Sequence, residues 1–199
     1  MKAVLISIKP KWCELIASGK KTVEVRKTKP KLETPFKCYI YCTKGNSFAE
    51  KTLRGFDDKG KAIYYKANKG KVIGEFMCDW IVDSPIWRLR GNTGFLAPRT
   101  EKEACLPHNA CLTLDELKAY VGSENKCVCG WHISDLVIYD KPRKLGEFQS
   151  PCNHENDCCT CKRAIYCSSN HQFHHCELED GLKRPPQSWC YVERSKNGK

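Results

Sequence analysis

Leu15-Ile16-Ala17-Ser18-Gly19-Lys20-Lys21-Thr22-Val23-Glu24-Val25-Arg26-Lys27 is the stretch on which the fold turns, a helix end that runs directly into a strand. Upstream of it Ile8, Trp12, Leu15 and Ile16 recur at spacings of 4, 3 and 1, which suits the buried face of a short helix with Pro10 in its first turn. Gly19 tolerates the left-handed conformation that closes a helix, and the lysines after it suit the exposed last carbonyls. From Thr22 to Lys27 the period becomes two, so Val23 and Val25 share one face while Thr22, Glu24 and Arg26 share the other. Read plainly, this is either an ordinary ion pair on a half-buried strand or a set of functional groups aimed together.

Working outward, Ser7-Ile8-Lys9-Pro10 near the start of the chain leads through a helix closing in Ser18-Gly19 to Lys21-x-x-Glu24-x-Arg26. That succession resembles the signature of ASCH domains, small β-barrel domains related to the PUA-like RNA-binding fold. The resemblance runs from Met1 to about Tyr139, where Trp131-His132-Ile133-Ser134-Asp135-Leu136 is similar to the family's closing strand. It implies an α+β fold, a PUA-like mixed β-barrel with flanking short helices, and an RNA-facing groove. Some family members bind RNA, whereas others hydrolyse RNA or deacylate a modified cytidine. The acetylcytidine amidohydrolases carry a lysine in the place of Lys21, a threonine where Glu24 stands here, and a glutamate just before a later helix. In this chain that approach reads Pro107-His108-Asn109-Ala110, with Glu101 and Glu103 out of register, so Lys21 alone transfers.

The bulk composition bounds the reading. At 199 residues, one full core and a small appendage are expected. A hydrophobic content of 41% with 29% charged residues excludes a disordered or membrane chain. Val4-Leu5-Ile6 is too short for the apolar region of a signal peptide, so a cytoplasmic address is expected. Lys plus Arg is 34 against 23 for Asp plus Glu, a net +11, and residues 1–33 alone hold nine basic and three acidic side chains. Cations clustered around a motif are the footprint of a polyanion site, because each one placed on a phosphate releases counterions.

Outside the opening stretch, Val4–Ile8 and Phe36–Cys42 read as strands, with Cys38, Ile40 and Cys42 as small buried side chains on one face. Residues 43–71 lack periodicity and read as an excursion. Val72–Val82 reads as one long central strand in which Gly74 marks a bulge or a close backbone approach. Residues 83–107 read mostly as loop. Leu112–Val121 reads as a helix capped by Thr113 and stopped by Gly122, and Cys127–Tyr139 as one or two closing strands, with Asp140-Lys141-Pro142 ending the domain. Three units are thus expected: residues 1–142, an extension over 143–193, and a disordered tail over 194–199.

The chemistry concentrates in two places. Lys9, Lys11, Trp12, Lys20, Lys21, Arg26 and Lys27, together with Glu24, set phosphate-pairing cations beside a flat ring and a carboxylate, the combination that reads single-stranded RNA or a nucleotide. Trp12 reads as a core residue of the helix before it reads as a stacking platform. For an enzyme acting on RNA or a modified nucleoside, Lys21 is the electrophile or proton donor, Glu24 the general base, and Arg26 the phosphate or Glu24 holder. His132 is a second candidate base, though a lone histidine on a closing strand is more often structural. The other place is the cysteines. Of fifteen, seven fall between Cys152 and Cys190, and in a chain without a secretory signal such clustering points to metal. Cys158-x2-Cys161 with Cys152 and Cys176 supplies four ligands for one zinc, with Cys167 and His154 as substitutes. Ligation would order residues 150–180, and it leaves open a third function class, a zinc-knuckle protein-interaction adaptor. Leu182 to Val192, with Pro185-Pro186 and the aromatic residues Trp189 and Tyr191, is expected to dock back on the barrel as an edge strand.

Overall fold

A computed structural model describes residues 2–44, 52–56, 62–66, 69–84, 100–122, 127–151, 164–167, 172–176 and 181–194; over 52–56, 62–66, 164–167 and 172–176 and at 194 it describes the backbone alone. In chain order the elements are β1 (Ala3–Ile8), α1 (Pro10–Ala17), β2 (Val23–Arg26), β3 (Phe36–Cys42), β4 (Thr52–Phe56), β5 (Ala62–Lys66), β6 (Lys71–Cys78), β7 (Ile81–Ser84), α2 (Glu101–Ala104), α3 (Leu106–Asn109) and α4 (Leu114–Val121). They continue through β8 (Val128–His132), β9 (Ser134–Arg143), β10 (Phe148–Gln149), β11 (Ala164–Cys167), β12 (Gln172–Cys176) and β13 (Trp189–Arg194).

Two curled sheets make a half-barrel, an α+β fold. The larger has the order β10-β13-β1-β3-β6-β9, and the smaller the order β2-β8-β7. Every residue of β1 is buried, as expected of a strand that pairs in parallel with β3 and is covered on both faces. Its alternation sends Val4, Ile6 and Ile8 into the core shared with the smaller sheet, while Ala3 and Leu5 pack behind it with Tyr39, Phe148 and Val192. The smaller sheet is covered on its far side, where Val23 and Val25 meet Leu106, Leu117 and Val121. Its other face brings Trp131 into the shared core, edge-on to Phe36 at 5.8 Å between ring centroids.

Several elements differ from the sequence expectation. The excursion after residue 43 contains an antiparallel pair, β4 with β5, and β4 runs beside α1. The long strand from Val72 breaks into β6 and β7. At the break the Trp80 carbonyl accepts from the His132 backbone N–H at 3.1 Å, which carries the chain from one sheet into the other. Gly74 does sit at a close approach, because a Cβ there would lie 2.4 Å from the Val137 carbonyl oxygen. The stretch expected as loop holds α2, capped by the Thr100 hydroxyl, and α3. The helix near Leu112 is present as α4, with Thr113 and Glu116 forming a reciprocal capping box and Gly122 closing it at φ 80°. β9 runs past Asp140-Lys141-Pro142 to Arg143, and β13 docks as expected but lies between β1 and the two-residue β10 instead of at the edge. Residues 195–199 of the expected tail lie outside the described residues.

Candidate nucleic-acid interface

Helix α1 ends as its sequence directs. Gly19 takes φ 73°, its N–H donates to the Ile16 carbonyl, and Lys21 N–H returns to the Leu15 carbonyl. This tight exit swings β2 back along the molecule, so that Val23 and Val25 enter one apolar cluster while Glu24 and Arg26 turn to the opposite face. That face is not solvent. Lys21, Glu24 and Arg26 are only 2%, 6% and 8% exposed, which removes the surface ion pair from consideration.

The three charges are tied to one another and to backbone carbonyls. Lys21 Nζ donates to the Ala110 carbonyl at 2.8 Å and lies 3.4 Å from Glu24 Oε2, while Arg26 Nη2 lies 3.0 Å from Glu24 Oε1 and donates to the Ser7 carbonyl at 2.6 Å. Arg26 Nε is buried with no partner among the described residues. Burial pushes the Lys21 ammonium below its ordinary pKa, against the opposing pull of the Glu24 carboxylate. One carboxylate between two cations leaves a net positive, water-poor floor.

Above this floor opens a cleft of about 1040 Å³, lined among others by Lys9, Trp12, Lys21, Glu24, Arg26, Lys27 and Tyr120. Trp12 is half-buried. It packs partly on the core and also faces the cleft, with Lys21 Nζ 5.2 Å and Lys11 Nζ 4.5 Å from its ring centroid. On the α4 side Lys27 Nζ lies 5.2 Å from the Tyr120 centroid. Burial raises the Tyr120 hydroxyl's pKa, and the nearby Arg26 charge partly offsets that rise. Of the cations named from sequence, Lys9, Lys21, Arg26 and Lys27 line the cleft, Lys11 stands over Trp12 near it, and Lys20 is exposed away from it. His132 is elsewhere, on the far face of the smaller sheet, with Nδ1 2.6 Å from Asp79 Oδ1 and its ring stacked on Trp80 at 4.5 Å.

Sequence reasoning missed one wall. Pro185, Pro186, Gln187 and Ser188 line the cleft, anchored because Ser7 Oγ donates to the Pro186 carbonyl at 2.7 Å and Ser7 N–H to the Ser188 carbonyl at 2.9 Å. Ser7 thereby joins this strap to Arg26. The following strand holds the 28–31 loop as well, since Trp189 Nε1 donates to Thr28 Oγ1 and Lys31 N–H to the Tyr191 hydroxyl. The preset Pro-Pro segment was visible, but nothing local said what it would face. Cys152, Cys158 and Cys161 lie outside the described residues. Cys176 ends β12, where the backbone alone is described, and no group of three metal-ligating side chains occurs among the described residues.

The ASCH domain family model matches residues 6–74, the segment holding α1, the Gly19 turn and β2. The resemblance read from the sequence therefore rests on a second, separate match over that segment. No curated protein matches the chain in sequence. Three crystal structures of ASCH from Zymomonas mobilis resemble it. One is 21% identical with a TM-score of 0.45, covering 72% of this chain and 73% of that one. A tyrosine-to-phenylalanine mutant protein is 21% identical with a TM-score of 0.48, covering 73% and 77%. A serine-to-alanine mutant protein is 17% identical with a TM-score of 0.53, covering 97% and 89%, and at that identity the likeness is one of fold.

Proposed function

We propose that the cleft binds single-stranded RNA or a nucleotide, with phosphates on the exposed lysines Lys9 and Lys27 and a base against Trp12 or Tyr120. The observation that carries this reading is a buried Lys21–Glu24–Arg26 floor beneath two aromatic side chains, each with a lysine over its ring. Glu24 has lone pairs left to accept from a base, and aromatic faces stack on unpaired bases whatever their identity. The test uses a labelled mixed-sequence single-stranded oligoribonucleotide. Binding should fall steeply with salt, and Lys9→Ala combined with Lys27→Ala should weaken it and flatten the log–log salt dependence by about 1 to 1.5. Binding indifferent to both salt and these substitutions removes the cleft as the polyanion site.

The lowered Lys21 pKa favours a second reading, an enzyme acting on RNA or a modified nucleoside, in which Lys21 and Glu24 form a proton-transfer pair at 3.4 Å. Incubation with RNA and with acetylated cytidine separates the two readings. Turnover lost in both Lys21→Ala and Glu24→Gln supports the enzyme, and equal product from wild type and variants assigns the activity to a contaminant. For the cysteine-rich segment the proposal remains one zinc on Cys152, Cys158, Cys161 and Cys176, supported by ligand spacing alone. Reduced protein should then hold about one zinc per chain, and elemental analysis finding none dismisses it.

A further inference from the structure

Cys13 and Cys42 take no part in the cleft chemistry, yet each adjoins a residue that lines it. Cys13 follows Trp12 in α1 and Cys42 precedes Thr43 at the end of β3, and both Trp12 and Thr43 line the cleft. Ile8 joins the two. It is the parallel-ladder partner of Cys42, and its carbonyl accepts from the Thr43 N–H at 2.9 Å while standing 3.6 Å from Cys13 Sγ. Both belong to a single apolar cluster, with Cys13 Sγ turned to the Ile8 carbonyl and Cys42 Sγ 3.8 Å from the carbonyl of Thr43, the residue hydrogen-bonded to Ile8.

The partners are chemically unequal. The neighbouring Cys13 thiol holds Cys42 below its ordinary pKa, with burial opposing and Lys69 adding to the effect, whereas burial pushes the Cys13 thiol well up. One sulfur is thus disposed to attack and its neighbour to resolve. Cys38 and Cys78, also in this core, are both raised by burial.

We propose that Cys13 and Cys42 form a redox site that closes to a disulfide beside the cleft, with hydrogen peroxide or another small hydroperoxide as the oxidant. The Cys42 thiolate attacks a peroxide oxygen, forming an S–O bond as the O–O bond breaks, and the departing hydroxide takes a proton to become water. Cys13 then gives up its proton, and its sulfur displaces the sulfenic hydroxyl, which leaves as a second water. Two electrons leave the sulfur pair and one peroxide is consumed. Cys42 is fully buried at the last residue of its strand, so a water-sized oxidant reaches it when that strand end opens locally. The bond ties the helix that carries Trp12 to the strand end that carries Thr43.

The full-length chain is treated with hydrogen peroxide, alkylated after denaturation, digested and mapped by mass spectrometry, so no substitution is needed. The expected product is a Cys13–Cys42 linked peptide pair, absent before treatment and lost with dithiothreitol. Cys42→Ser should leave Cys13 alkylatable, and Cys38→Ser should retain the link. Recovery of both residues as free thiols once the exposed Cys105 has been oxidised overturns the proposal. So does Cys42 oxidised beyond the sulfenic acid, or joined to another cysteine, while Cys13 stays free.

Discussion

The Lys21–Glu24–Arg26 group and the Lys29–Asp83 pair use the same chemistry to opposite ends. The first is sealed at the floor of the cleft, and the second has side chains that are 52% and 45% exposed. A surface pair exchanges water for a partner at nearly no gain. A buried group has lost its water, so each charge depends on the others, and such an arrangement is retained where it does something besides hold the fold.

The sharpest way to break that comparison is to remove the shared carboxylate. Glu24→Gln leaves two buried cations facing each other across a neutral amide, and unfolding by denaturant should show a loss of about 3 to 5 kcal/mol. Lys29→Ala, measured alongside, should cost under about 1 kcal/mol. Equal effects would mean that burial does not separate the two sites.

A pH series sharpens it further. Because burial lowers the Lys21 pKa, the unfolded chain holds that proton to higher pH than the folded one. Stability should therefore rise as pH climbs from the lowered value towards 10.5, where the unfolded lysine also loses its proton. Lys21→Met should lack that rise. Parallel alkaline stability curves for wild type and variant would rule out a strained ammonium.

The smallest effect belongs to the Asp79–His132 pair. Burial pushes the Asp79 carboxyl up, but the hydrogen bond and charge of His132 outweigh it and hold the pKa below its ordinary 3.8. This contribution is present above 3.8 and fades as the pH falls through the lowered value. Asp79→Asn should cost less than about 1 kcal/mol at neutral pH and blunt the acid limb of thermal unfolding. A larger loss would place this pair with the buried group.

What sequence determined by itself was local. Gly19 needed a left-handed turn, Thr113 with Glu116 spelled a capping box, and the period of two in β2 separated the valines from the charges, all of which depend on neighbours a few residues apart. Lys9, Trp12, Lys21 and Arg26 were named together from residues 9–27 and from a family resemblance that the match over residues 6–74 supports, but Lys11 and Lys20, named with them, do not line the cleft. Tertiary structure alone decided whether Glu24 would be wet or dry, because that depends on Ala110, Ser7 and Tyr120 arriving from distant parts of the chain. It also decided that Pro185–Ser188 would wall the cleft. The anchoring bond from Ser7 to Pro186 spans 179 positions, and no periodicity or spacing encodes a hydrogen bond over that separation.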